Sequence, residues 1–184
     1  ISREELKSML EEEGVSVEVV EELPYALAIS EYDFLGKLKS FQSGYFSVQD
    51  ISSMQVAHWA DPQEGDYIID VCAAPGGKSS HLAEKMESTG MVEARDLTEY
   101  KVGLIEENIK RHHCTNMKAV QMDATILDEA SVEKADIVIA DLPCSGLGVM
   151  RKKSDIKYKM SLDKMESLVA LQREMLQTVC AYVK

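Results

Sequence analysis

From Asp66 onward, short apolar runs alternate with longer segments of helical period, and this alternation leaves few folds open. "DYIIDV" (66–71) has the pattern of a buried strand, followed by the loop "CAAPGGKSS" (72–80) and a helix through Met86. "MVEARDL" (91–97) is a strand, and a helix runs from Thr98 to His112. "MKAVQMD" (117–123) and "ADIVIADL" (135–142) are further strands. A last helix runs from about Ser161 to Tyr182, with Met165, Leu168, Val169, Met175, Leu176 and Val179 at helical spacing. Strands joined by helices form a parallel, doubly wound α/β sheet whose ligands bind at the carboxyl ends of the strands. Four strands and a final helix are few for such a domain, so the sheet is expected to be cut short on its C-terminal side.

The first third is less regular. Ser2 can cap a helix that carries Leu6, Met9 and Leu10 on one face, and Gly14 can end it. "VSVEVV" and "YALAIS" read as short strands. "FQSGYFSVQD" (41–50) leads into a second helix around Ser52 to Trp59, and "DPQEGD" (61–66) is a turn cluster that can separate lobes. The 184 residues, 45% hydrophobic, suffice for one domain plus a small lobe. The chain has no apolar run of about 18 residues and no signal-peptide pattern, which predicts a cytoplasmic protein without membrane contact. Cys72, Cys114, Cys144 and Cys180 have no CxxC spacing, and the four histidines complete no metal set. Neither a metal nor a disulfide is expected, and the default for a free cysteine is a small buried hydrophobe.

The net charge of −12 argues at first against a nucleic-acid partner. Its distribution is uneven. Residues 1–33 hold ten acids against two bases, whereas Arg151 to Lys159 hold five bases against one acid. A solvated acidic face and a local cationic strip can coexist, and RNA needs only the strip.

The loop Cys72, Ala73, Ala74, Pro75, Gly76, Gly77 and Lys78 connects the first strand of the regular region to its helix. Glycines there admit a ligand to the backbone, and the helix start offers free N–H groups. The loop is neither GxGxxG nor GxxxxGK[ST], so the dinucleotide and P-loop readings fail on spacing. The next strand ends in Asp96, 19 residues after Gly77, where an acid commonly accepts hydrogen bonds from ribose hydroxyls. The following strands end in Asp123 and Asp141. S-adenosylmethionine has a ribose, an adenine amine and a cationic amino-acid tail, and it has no phosphate. Asp96 is assigned to its ribose, Asp123 to the adenine and Asp141 to the methionine end.

"DIVIADLPCSGLGVMRKK" (136–153) places a thiol, Cys144, after a buried strand and beside a carboxylate, just ahead of three cations. Together with "VCAAPGGKSSHLAE", "MDAT", "SDIKY" and "LQREMLQTVCAYVK", it resembles the Sun (Fmu, RsmB-like) family of RNA 5-methylcytosine methyltransferases. The similarity runs from about residue 44 to the end, and it is greatest to the bacterial enzymes of small-subunit ribosomal RNA. The resemblance implies a Rossmann-like S-adenosylmethionine-dependent domain over 44–184, incomplete at its C-terminus. It also implies that residues 1–43 are part of a small α+β RNA-binding lobe.

The resemblance also assigns the chemistry. Carbon 5 of cytosine becomes nucleophilic once a thiolate adds at carbon 6, and the base must first leave its stack. Cys144 is expected to assist product release, Pro143 to shape its turn, and Asp141 to contact the exocyclic amine of cytosine as well. Lys78 is expected to steady the base or the cofactor, and Arg151 and Lys152 to hold phosphates. The attacking cysteine belongs to a later motif, and Lys184 falls where the turn into that motif's strand would begin, which implies a truncated chain. Cys180 is read as packing and Cys72 as contributing only backbone or van der Waals contact. Three rival readings are a DNA-type enzyme attacking with Cys144, a non-catalytic cofactor- or RNA-binding module, and an adenine N-methyltransferase. The last wants a Pro-Pro-aromatic run where "LPCS" stands.

Overall fold

The structure, a computed structural model, describes residues 1–149 and 161–184. Helix α1 (Arg3–Glu12) begins as expected at Ser2. The Ser2 hydroxyl accepts the Glu5 N–H at 3.2 Å, and the Glu5 carboxylate accepts the Ser2 N–H at 2.8 Å. This reciprocal cap satisfies two donors the helix cannot satisfy itself. Strands β1 (Ser16–Val19) and β2 (Leu27–Ser30) pair antiparallel, with Val17 opposite Ile29. They pack with Leu10, Val15, Leu38, Phe41 and Phe46 into a small core of their own. A single turn, α2 (Lys39–Gln42), follows. Helix α3 (Ile51–Ala60) turns instead to the main sheet, where its Ala57 is fully buried.

The main sheet contains β3 (Tyr67–Asp70), β4 (Met91–Asp96), β5 (Met117–Gln121) and β6 (Ile137–Ile139). Its order is β5-β4-β3-β6, and every pairing is parallel. Successive side chains of a strand face opposite ways. Ile68 accordingly packs with Leu82 of α4 (Gly77–Lys85) and Ile105 of α5 (Glu99–His112). Ile69 packs on the other face with Met175 and Val179 of α6 (Leu162–Val179). Full burial of each such side chain is worth about 1.5–3 kcal/mol. The sheet is thus covered on both faces, as the alternation of apolar runs predicts. No helix among the described residues is long and apolar enough to cross a membrane.

Three expectations need correction. The buried stripe of α6 is narrower than its apolar content: Met165, Val169 and Leu176 are 39–49% exposed, and Met175 and Val179 carry the packing. Cys180 is exposed rather than packed, because the next residues form a tight turn (Cys180–Tyr182) that sends Tyr182, not Cys180, inward. The strand expected only after Lys184 has begun to pair: Val183 bridges Ala135 in parallel, and the Lys184 N–H donates to the Ala135 carbonyl at 3.0 Å. Buried Tyr182, whose hydroxyl accepts the Asp128 N–H at 3.0 Å, anchors that reversal.

The small lobe meets the sheet domain at the C-terminal end of α5. Arg111 lies 4.2 Å over the Phe41 ring and donates to the Phe46 carbonyl at 3.1 Å. The Ser47 hydroxyl and His112 Nε2 are 2.9 Å apart. Gly44, at φ +74°, lies so close that an added Cβ would overlap the Arg111 carbonyl oxygen and stand 2.7 Å from its carbon. Gly44→Ala should therefore cost about 2 kcal/mol or more in urea denaturation, from steric overlap and left-handed strain together. A cost below about 0.5 kcal/mol would mean that α5 can slide away from the lobe.

Candidate functional site

Parallel pairing brings the carboxyl ends of β5, β4, β3 and β6 to one edge, and each delivers an acid there. Asp70 is the last residue of β3 and Asp96 the last of β4. Asp123 and Asp141 lie two residues beyond the ends of β5 and β6, not at the strand ends themselves.

The loop between β3 and α4 folds over that edge. The Ala73 N–H donates to the Arg95 carbonyl at 2.9 Å, which draws the chain across β4. The Ala74 N–H donates to Asp96 Oδ2 at 3.1 Å. The Gly76 N–H closes a turn on the Ala73 carbonyl at 2.7 Å, and Gly76 itself sits at φ +104°, where a side chain would be strained. Helix α4 starts at Gly77 with no side-chain cap, so its first amides remain available to a ligand.

Asp96 is 3% exposed. Its Oδ1 accepts the Leu97 N–H at 2.8 Å and Lys101 Nζ at 3.0 Å, in addition to the Ala74 bond on Oδ2. A carboxylate offers about four acceptor positions, so one is left for a ligand hydroxyl. Asp70 is more deeply buried, at 1% exposure. Its Oδ2 accepts the Ser79 hydroxyl at 2.6 Å, while Oδ1 is buried without a hydrogen-bond partner among the described residues. Burial raises the Asp70 pKa to about 6, against the opposing pull of the Ser79 hydroxyl, the Cys72 backbone amide and the Lys78 charge. Asp123 is half-buried, and its Oδ1 accepts both the backbone N–H and the hydroxyl of Thr125, which hold its pKa below the usual range.

Lys78 reaches from the first turn of α4 to Asp141 Oδ2 at 2.7 Å, tying the glycine loop to the segment after β6. In that segment Pro143 and Cys144 are exposed, and the Pro143 carbonyl accepts Gln172 Nε2 of α6 at 2.8 Å. Cys72 is half-buried, and its thiol is pushed up to about 11, first by burial and then by Asp96 and Asp70. It remains protonated at neutral pH and is no nucleophile there.

The structure thus brings Cys72 through Lys78, Asp96, Asp141, Pro143 and Cys144 to one edge, with Asp123 just past the end of the outermost strand. Arg151 and Lys152 lie outside the described residues. Sequence reasoning passed over Asp70, Ser79 and Lys101. Asp70 occupies the same place in "YIID" as Asp96 in its strand, so the strand-end argument covers it equally. Lys101 stands five residues after Asp96, within reach of the strand end it leaves. Both cations at the edge are already paired, while Asp70 and Asp123 have no ion-pair partner among the described residues. The excess of acid suits a cationic, hydroxyl-rich ligand and disfavours a phosphate. Among the described residues no three His, Cys, Asp or Glu side chains gather as a metal ion would require.

Residues 57–184 match the profile of the family described as 16S rRNA methyltransferase RsmB/F. The chain belongs to this family. It is 39% identical over 183 residues to the probable ribosomal RNA small subunit methyltransferase B of Bacillus subtilis (strain 168), covering 99% of this chain and 41% of the relative. It is 42% identical over 153 residues to the tRNA (cytosine(72)-C(5))-methyltransferase of Pyrococcus horikoshii, covering 83% of this chain and 38% of that one. The crystal structure of PH0851 superposes with a TM-score of 0.93 at 32% identity, over 98% of this chain and 41% of that chain. NSun6 from Pyrococcus horikoshii, solved with SFG, superposes with a TM-score of 0.76 at 35% identity, over 86% of this chain and 41% of that chain. The chain therefore spans about two fifths of the length of these relatives. The family resemblance and the Rossmann-like methyltransferase fold expected from the motifs both hold.

The burial of Asp70 predicts a specific pH response. Its pKa of about 6 in the folded state exceeds the ordinary 3.8, so the folded state binds the proton more tightly. Stability from this group is full below about pH 4 and falls as pH rises through about 6, by about 3 kcal/mol at most. Asp70→Asn should remove that fall, as read from urea midpoints of both proteins between pH 4 and 7. Parallel pH profiles would show that Asp70 is hydrated and ionises normally.

Proposed function

We propose that the chain carries the cofactor-binding part of an enzyme that methylates carbon 5 of a cytosine in RNA, with small-subunit ribosomal RNA as its substrate. The observation that carries this reading is the 2.7 Å ion pair between Lys78 and Asp141. It joins a glycine loop lacking a phosphate cradle to a Pro-Cys segment whose thiol faces solvent. The activities for which the relatives are named, on small-subunit rRNA and on a tRNA cytosine, support the substrate class. SFG, an analogue of S-adenosylmethionine, in a related structure supports the cofactor.

The residues at the edge fit that cofactor: among the described residues they offer acid without an ion-pair partner for a cationic tail, one open acceptor position on Asp96, and a buried Asp70 oxygen without a hydrogen-bond donor. S-adenosylmethionine supplies an electrophilic methyl group when bound. In this proposal Cys72 to Lys78 form its backbone cradle. Asp96 takes a ribose hydroxyl, Asp123 lies by the adenine, and Asp141 lies by the methionine end and accepts from the amine of the target cytosine. Lys78 holds Asp141 in place for that contact.

A thiolate adds to carbon 6 of the base, and the electron pair displaced to carbon 5 takes the methyl group. Loss of the carbon 5 proton then expels the thiolate. The attacking thiolate belongs to a second cysteine outside these 184 residues, and Cys144 assists the expulsion, with Pro143 setting its turn. Residues 1–43 serve as part of an RNA-binding lobe and residues 44–184 as the methyltransferase domain. Arg151 and Lys152 hold phosphates beside the flipped base.

The test is Cys144→Ala in the protein extended to the length of its relatives, incubated with ribosomal RNA and S-adenosylmethionine. Turnover should fall by about a hundredfold or more, and an RNA–protein adduct should survive a denaturing gel. Loss of methylation without any adduct would make Cys144 the nucleophile and overturn the release role.

A further inference from the structure

The glycine loop is held from the side that faces the small lobe by two side-chain amides, acting on the carbonyls on either side of Gly76. Asn108 Nδ2 of α5 donates to the Pro75 carbonyl at 2.8 Å. Gln49 Nε2, in the segment ahead of α3, donates to the Gly77 carbonyl at 2.5 Å. Gly76, the residue between them, is the only one in the loop with positive φ. The two bonds fix the Pro75–Gly76 and Gly77–Lys78 peptide planes, and with them the direction of the Gly76 and Lys78 amides.

Asn108 does not act alone. Arg111, one turn further along α5, donates Nη2 to Asn108 Oδ1 at 2.9 Å. A guanidinium only donates and a backbone carbonyl only accepts. The Asn108 amide must therefore turn its oxygen to Arg111 and its NH2 to Pro75, so the two partners set its orientation between them. Arg111 is in turn fixed by the small lobe: Nη1 donates to the carbonyls of Phe46 at 3.1 Å and Phe41 at 3.4 Å, and the guanidinium covers the Phe41 ring. Both phenylalanines pack against the small-lobe core. A continuous relay runs from that core through Arg111 and Asn108 to Pro75, and Gln49 gives a second, shorter route to Gly77.

We propose that Asn108, oriented by Arg111, and Gln49 are positioning residues that couple the seating of the small lobe to the geometry of the cofactor-binding loop. The proposal rests on the reading of residues 72–78 as that loop. A loop held before the ligand arrives has less ordering left to undergo on binding, so the relay sets cofactor affinity from a distance. Movement of residues 41–49, as when the lobe engages a partner, would reach the loop by the same bonds.

The isosteric change Asn108→Asp separates positioning from bulk stability. An aspartate keeps, and charges, the acceptor that Arg111 needs, but it sets an oxygen against the Pro75 carbonyl. We expect S-adenosylhomocysteine to bind this variant about tenfold more weakly by calorimetry, with the melting temperature within about 3 °C of the parent. The amides of Ala73, Ala74, Gly76 and Gly77 should exchange hydrogen faster in the ligand-free protein. Gln49→Glu should act in the same direction. Arg111→Met should weaken binding too, and combining it with Asn108→Asp should add less than the sum of the two. Binding within twofold of the parent, with unchanged exchange at those amides in Asn108→Asp, would overturn the relay. If the parent protein itself failed to bind S-adenosylhomocysteine, the cofactor reading of the loop would fall. Exchange at those amides would then decide the positioning role alone, faster exchange supporting it and unchanged exchange refuting it.

Discussion

In a parallel sheet every strand ends on the same edge, and nearly everything of functional interest in this molecule follows from that constraint. Asp123, Asp96, Asp70 and Asp141 are far apart in sequence and become neighbours in strand order because β5, β4, β3 and β6 run the same way. The loop after β3 must cross that edge to reach α4, so its backbone is delivered to the acids without any further instruction. An antiparallel arrangement of the same strands would have sent half of these side chains to the opposite end.

Gathering carboxylates at one edge costs free energy by mutual repulsion, and the surrounding residues show how it is offset. Lys78 and Lys101 neutralise Asp141 and Asp96. Thr125 lends two hydrogen bonds to Asp123. Asp70 accepts the Ser79 hydroxyl at its buried Oδ2, and burial outweighs this bond, the Cys72 amide and the Lys78 charge, so its pKa stays raised. The edge is thus partly neutralised by its own protein and partly left open, which is the condition of a site prepared for a cationic ligand.

A different device holds the opposite face of β4. Glu93 and Arg95 are buried there although a core strand would favour apolar residues. Arg95 pairs with Glu93 at 2.6 Å and Asp128 at 3.1 Å, donates to Ser131, and lies 5.2 Å from the centre of the Tyr182 ring. Lys118 and Tyr67 complete the shell around Glu93. The cluster pins the turn at 129–131 and the Tyr182 reversal to the sheet, and the Arg95 carbonyl receives the Ala73 amide of the glycine loop. A charged cluster with every partner in place contributes geometry even where its net stabilisation is small.

Strand and helix order, the capped first helix, the glycine loop and the Pro-Cys segment were all legible in the sequence, because each rests on local periodicity or on turn and cap chemistry. Asp96 was legible as a strand-end residue for the same reason, whereas Asp123 and Asp141 lie two residues past the strand ends where the pattern put them. The tertiary structure decided what depends on distant partners. It paired Lys78 with Asp141 across 63 positions and buried Asp70 until its proton is held to about pH 6. It set Cys180 outside by turning the chain at Tyr182, and it ran a hydrogen-bond path from the small lobe through Arg111 and Asn108 to Pro75. Sequence by itself determines which elements form, since backbone preference and hydrophobic period act within a few residues. Desolvation, ion pairing and the direction of a side-chain amide are set by atoms that only the folded chain brings together.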